Sequence, residues 1–241
     1  MEIILGVNMK YLRPICLVLA LATQISPAHA ESAIRKVGDT DIKFAVPDGY
    51  CVLSQSNNRD AQFIKVVDTL LSQSNNTLLL LMMECGRLRT WRAGVSGPIF
   101  EYITYYTPNA ELSQTHSGQS HALRKALCTD MRGQTDAAVK DVKADVARAA
   151  RELGSDMAVN STHYIGVVDE DDHGCYAELL SSVKSANTSV VMSTLVISTY
   201  IHGKALFSAV YHKHVDDRTF EAELGIGKSE MLQLGSDNND N

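Results

Sequence analysis

The stretch CYAELLSSVKSANTSVVMSTLVISTYIHGKALFSAVYHKH, residues 175–214, decides the fold. It breaks at Ser185–Asn187 and at His202-Gly203 into three runs rich in β-branched and aromatic residues: Cys175–Lys184, Thr188–Ile201 and Lys204–His214. Short separators carrying Gly, Asn and Ser are what hairpin turns require. Upstream, Thr162–Val168 reads as a fourth strand, set off by the acidic turn Asp169–Gly174. The last third of the chain is therefore expected to form a four-strand antiparallel meander.

The segments on either side supply the helices. Thr135–Leu153 places Val139, Val142, Val146, Ala150 and Leu153 at helical spacing, with charged residues on the other faces, and Ser120–Met131 predicts a preceding helix. Thr77–Cys85 is apolar on both faces, as a central strand is, and Ile99–Thr107 has the Tyr, Ile and Thr content of another. Arg87–Pro98 between them is expected to be a loop. Phe63, Val66, Val67, Leu70 and Leu71 form one stripe of an amphipathic helix, preceded by a short strand at Asp41–Val46 that ends in the turn Pro47-Asp48-Gly49. The hexapeptide Leu53–Asn58 recurs as Leu71–Asn76, one copy at each end of that helix, and reads as shared cap and turn chemistry. Asp217–Leu234 predicts a closing helix and Gly235–Asn241 a disordered polar tail. The order of elements is α+β: a mainly antiparallel sheet of about six or seven strands with helices packed on its faces, an α/β/α sandwich.

Residues 1–30 read as a cleaved signal peptide. Lys10 and Arg13 form the positive segment, Ile15–Ile25 the apolar one, and Ala28-His29-Ala30 an A-x-A cleavage site. Met9 is an alternative start to Met1. The apolar segment is well short of the ~20 residues that span a bilayer, and the longest later apolar run, Leu78–Met83, is shorter still. A soluble product, periplasmic or secreted, with a single domain over residues 31–234 is expected. Four of the five cysteines lie beyond the leader: Cys51, Cys85, Cys128 and Cys175. An even number in an exported chain points to two disulfides. The expected pairs are Cys51–Cys85, across neighbouring antiparallel strand ends, and Cys128–Cys175, across one helix–sheet layer.

Composition and motifs exclude more than they assign. The 241 residues are 45% hydrophobic, 21% charged and 6% aromatic, an ordinary globular balance, and the net charge of −6 without a basic cluster argues against nucleic-acid binding. Gly94-Val95-Ser96-Gly97-Pro98 resembles a nucleophile loop but has Pro98 where the elbow needs glycine. The acidic turn Asp169–Gly174 lacks the distal Glu of a calcium loop, and no phosphate-cradling glycine motif is present. His212 and His214, at i and i+2 on a strand, would project from one face and are the candidate metal ligands, close to Asp216 and Asp217.

The segments Pro47–Leu53, Asp60-Ala61 and Met83–Gly86, with Gly166-Val167 and Cys175-Tyr176-Ala177, resemble an alphaproteobacterial family of small exported proteins. Its pattern runs P-x-G-Y-C-x-L, D-A-R, A-D-C, then G-V and C-Y-A. Gln62 stands here where that family has Arg, and Met83-Glu84 where it has Ala-Asp. The resemblance implies an exported location and carries no activity. Phe44–Tyr50 and the order of elements also resemble the Mog1/PsbP-type sandwich, whose members bind partners. The sequence thus reads as a non-enzymatic binding or interaction module without a cofactor, its partner a protein or an envelope component. The alternative is a metal-binding protein using His212 and His214.

Overall fold

A computed structural model of the chain describes residues 32–95, 101–134, 158–185 and 188–240, together with helical positions 139, 144, 146–148 and 150. The leader at 1–30, Ser96–Pro98 and most of the helix expected over 135–153 lie outside the described residues.

Nine strands and four α-helices are seen among the described residues. In chain order they are β1 (Ser32–Val37), β2 (Thr40–Ala45), β3 (Tyr50–Val52), α1 (Asn58–Gln73), β4 (Asn76–Glu84), α2 (Cys85–Arg92), β5 (Tyr102–Pro108), α3 (Ser120–Arg132), β6 (Ala158–Glu170), β7 (Cys175–Ser185), β8 (Thr188–Ile201), β9 (Lys204–Lys213) and α4 (Asp217–Asp237). A seven-stranded sheet runs β3-β4-β5-β9-β8-β7-β6 with every pairing antiparallel, and β1-β2 is a separate hairpin. The predicted meander is β6 to β9, and it joins the N-terminal strands where β9 pairs with β5, Tyr102 opposite Tyr211. This is an α+β fold, and all described residues fall in one compact unit.

Strand alternation sends successive side chains to opposite faces. One face buries Leu80, Met82, Ile103, Tyr105, Leu195, Ile197, Leu206 and Val210 under α4 and the β1–β2 hairpin, which adds Ile42 and Phe44 to the same core. The other face presents Leu81 and Met83 to α1 and α2, where Leu53, Val67 and Leu88 complete a second core, and further along it packs α3. Leu79–Met83 are all under 9% exposed, as a strand covered on both faces must be. Both disulfides lie on this second face and join the expected pairs. Cys51–Cys85 spans neighbouring strand ends with Cα atoms 5.0 Å apart, and Cys128–Cys175 ties α3 to β7 at 5.3 Å. These separations are the usual ones for the bond.

The repeated hexapeptide is a pair of helix ends. In the first copy the Asn57 side chain accepts from the backbone N–H groups of Arg59 and Asp60 and starts α1. In the second, Asn75 adopts φ 56°, a left-handed position that Asn tolerates, and turns the chain into β4. The loop expected at Arg87–Pro98 is instead largely α2, begun by the Glu84 carboxylate accepting from Gly86 and Arg87 N–H groups at 3.0 and 2.8 Å. Its inward positions amount to Leu88 and Trp91, one pair at i,i+3, too little periodicity to mark a helix in sequence.

The polar tail expected from Gly235 is likewise corrected. α4 continues to Asp237, and Asn238 then binds the free edge of β2, accepting from Lys43 N–H at 3.0 Å and donating to Lys43 C=O at 2.8 Å. Asp240 accepts from the Ser120 hydroxyl and the His202 N–H. Polarity at this terminus satisfies unpaired backbone rather than facing water. Asn241 lies outside the described residues.

Candidate functional site

The face of the sheet opposite α4 is not completely filled. From β5 come Tyr102 and Tyr106, from β9 Tyr211, and from β8 Met192, Thr194 and Val196, all on the same side of the pleat. Leu179 and Val183 of β7 and Val159 of β6 extend the same lining, and Leu70 and Leu71 of α1 and Val146 complete it among the described residues. Together they line a half-open cavity of ≈ 350 Å³. That is within the size range of small-molecule sites, about 300–1,000 Å³. A second hollow beside Leu78–Leu81, at ≈ 150 Å³, is below it.

The wall is aromatic, and the described residues of the lining are uncharged. Tyr102 stacks on Tyr211 with ring centres 4.3 Å apart, and Tyr106 on Phe207 at 5.5 Å. Burial pushes the Tyr102 and Tyr106 phenols well up and the Tyr211 phenol to about 12, so all three are neutral across the physiological range. Besides the tyrosines, the polar residues of the described lining are Ser74, Asn76, Thr162, Ser181 and Thr194, each neutral. A site of this make-up can hold an apolar body and offer it a few hydrogen bonds.

Beneath α4, on the opposite face, three carboxyl groups are buried. Glu178 of β7 is 5% exposed, and Glu223 and Glu230 of α4 are 0% and 2%. The Ser193 hydroxyl of β8 lies between two of them, hydrogen-bonded to Glu178 Oε1 and at 2.6 Å to Glu223 Oε2. Glu230 accepts from the Ser208 hydroxyl at 3.4 Å, and its other oxygen is without a hydrogen-bond partner. Burial raises Glu178 to about 7, against the pull of the Ser193 bond, and the neighbouring Glu223 adds to the rise; Glu230 is raised by burial to about 8.

The two candidate metal ligands, His212 and His214, lie near the end of β9 and just past it. His212 faces this cluster, its Nδ1 3.3 Å from Glu223 Oε1, an ion-pair distance without hydrogen-bond alignment. His214 lies just past β9, where its backbone N–H donates to Val191 C=O at 2.8 Å, and its Nδ1 has no hydrogen-bond partner. No group of three or more His, Cys, Asp and Glu residues suited to holding a metal occurs among the described residues. The acidic turn has internal duties: the Asp171 carboxylate accepts from the N–H groups of His173 and Gly174 and from the Tyr176 hydroxyl, and Asp169 pairs with Lys228 at 2.6 Å.

Sequence reasoning reached neither the cavity nor the carboxyl cluster. The cavity is assembled from seven separate segments. The cluster left one trace, since Glu223, Gly227, Glu230, Met231 and Leu234 recur at helical spacing as the buried stripe of α4, with two acids where a core stripe has apolar residues. Neither the family models nor the curated proteins compared with the chain match it.

Proposed function

We propose that the protein is an exported, periplasmic binding module, without catalytic activity, that carries a small uncharged apolar molecule of the cell envelope. The observation behind this reading is the ≈ 350 Å³ cavity with its stacked tyrosines and uncharged lining. A charged ligand group would be buried there without a counter-charge, at a cost of several kcal/mol. Two disulfides are compatible with an oxidising compartment, and the leader at residues 1–30 supports export. Among the described residues no helix is long and apolar enough to cross a membrane. The resemblance to the alphaproteobacterial exported family and to the Mog1/PsbP-type sandwich fits the same reading.

The test uses the purified chain starting at Glu31 and the neutral apolar fluorophore N-phenylnaphthylamine. Saturable binding near one equivalent is expected, and it should vanish in Val196→Trp, which fills the hollow, with the thermal midpoint retained. Absence of saturable binding, or undiminished binding by a folded Val196→Trp variant, rejects the cavity as the ligand seat. Intact mass of the periplasmic form checks export separately, a retained leader being the adverse result.

A further inference from the structure

We propose that Glu178, Glu223 and Glu230 form a proton-held latch, which keeps α4 on the sheet while the cluster retains a proton and loosens the helix when the cluster ionises. The inference is independent of what the cavity binds.

Counting hydrogens carries the argument. Ser193 Oγ is hydrogen-bonded to an oxygen of Glu178 and to an oxygen of Glu223. A hydroxyl has one hydrogen to donate, and an ionised carboxylate can only accept. If both contacts are hydrogen bonds, one carboxyl must itself carry a proton and donate it to Ser193. With both carboxyls ionised, one contact becomes oxygen against oxygen between buried groups, which costs the desolvation of an unmatched acceptor and adds like-charge repulsion.

Apart from His212, which can carry positive charge when protonated, no cation among the described residues is placed to relieve that repulsion. From β3 the cluster meets Tyr50, from β5 Tyr105, and from β7 Tyr176, all phenols that burial pushes up. β2 contributes apolar Ile42 and Phe44 to the same core. β9 supplies Ser208 and the one neighbouring base, His212, against Glu223. The cations of α4 are engaged elsewhere: Arg218 with Asp216 at 2.7 Å and Lys228 with Asp169 at 2.6 Å. Lys43 pairs with Asp237 at the far end of the helix, and Lys204, at the start of β9, donates to the carbonyls of Glu111 and Gln114. Glu230 has only the long Ser208 contact.

The direction of the pH response follows. A carboxyl whose folded value is raised from 4.5 to about 7 or about 8 binds its proton more tightly when folded. Its stabilising effect is complete below the unfolded value and is lost as pH climbs through the folded one. The loosening therefore builds as pH rises above the unfolded value of 4.5 and is complete once pH passes the folded values of about 7 and about 8.

Hydrogen exchange on the purified chain tests this, with α4 peptides compared against β4 peptides of the same sample so that the intrinsic pH effect cancels. Between about pH 6 and pH 9 the relative protection of α4 should fall roughly tenfold or more, since one pKa unit corresponds to a factor of ten. Glu178→Gln and Glu230→Gln should each reduce that fall. A wild-type ratio that is flat with pH, or glutamine variants that fall as steeply as wild type, overturns the latch. If the variants do not fold, the infrared carbonyl band of protonated carboxyls in the wild type decides. Its presence at neutral pH and loss by about pH 9 supports the latch, and its absence at neutral pH overturns it.

Discussion

The two faces of the seven-stranded sheet solve the same burial problem in opposite ways. Under α4 the packing is close: Leu195, Ile197, Leu206, Val210 and Leu234 are inaccessible to solvent, and the buried carboxyls are held mainly through the hydroxyls of Ser193 and Ser208. Under α1 the packing is incomplete, leaving a cavity walled by Tyr102, Tyr106 and Tyr211. Both disulfides are on this less filled side, one at Cys51 beside α1 and α2, the other tying α3 to β7. A hollow forfeits dispersion and transfer energy that a filled core would supply. Covalent closure compensates by restricting the unfolded chain instead. The comparison teaches that the face able to accept a ligand is the one held by bonds that do not depend on tight packing.

The largest expected effect breaks that compensation. Replacing Cys128 and Cys175 by serine opens a loop closed over a sequence separation of 47 residues. In the chain-entropy treatment this removes about 4 kcal/mol, to be read from denaturant unfolding of the double variant. Exchange should rise first in α3 and leave α4 closer to its wild-type protection. Loss of under about 1 kcal/mol, or α4 opening before α3, would show that the two faces are not separately supported.

How much of this was legible in the sequence depended on whether the information was local. The meander was written in strand runs of Val, Ile, Thr and Tyr separated by turn residues, and Thr188–Ile201 coincides with β8. The Cys51–Cys85 pairing followed from strand ends that had to meet, and Cys128–Cys175 from a helix and a strand that share one layer. The tail was misread because Asn238 acts on Lys43, 195 residues away, and no pattern around Asn238 signals a distant strand edge. α2 was missed because its N-cap is Glu84, the last residue of a strand, whose carboxylate is counted in sequence as a solvent group. The candidate site was hidden for the same reason at larger scale. Tyr102 and Tyr211 stack only because β5 and β9 are neighbours, a pairing between strands about a hundred residues apart that no local periodicity encodes.

A smaller effect sharpens the contrast in packing. Gly227 is buried where α4 crosses β8, and a Cβ added there would lie 2.6 Å from Ile197 Cδ1 and 2.9 Å from Leu195 Cδ2. Gly227→Ala should therefore cost about 1–3 kcal/mol, the usual range for overpacking a filled core. The far larger addition in Val196→Trp on the cavity face should cost less, because there is space to receive it. Thermal and denaturant midpoints of the two variants settle the order. A Gly227→Ala variant as stable as wild type would mean that α4 is not closely seated, and the contrast between the faces would lose its basis.

The smallest effect comes from the same helix two residues earlier, and its sign should be opposite. Gly225 is on the exposed side of α4, its φ is not in the left-handed region, and a Cβ placed on it meets nothing within 4 Å. The glycine there performs no packing or turn function, so only its conformational freedom in the unfolded chain distinguishes it from alanine. Gly225→Ala should stabilise by about 0.4–1 kcal/mol, since the unfolded chain has fewer states to lose and the helix interior prefers alanine. The gain should appear as a shift of the denaturant midpoint at unchanged slope, because the buried surface is the same in both proteins. The two glycines thus form an internal control: one helix, one substitution and opposite signs, set by whether the sheet is underneath. Destabilisation by Gly225→Ala comparable to that of Gly227→Ala would assign the cost to the helix backbone rather than to its contact with Ile197, and would remove the evidence that close packing is confined to one side of α4.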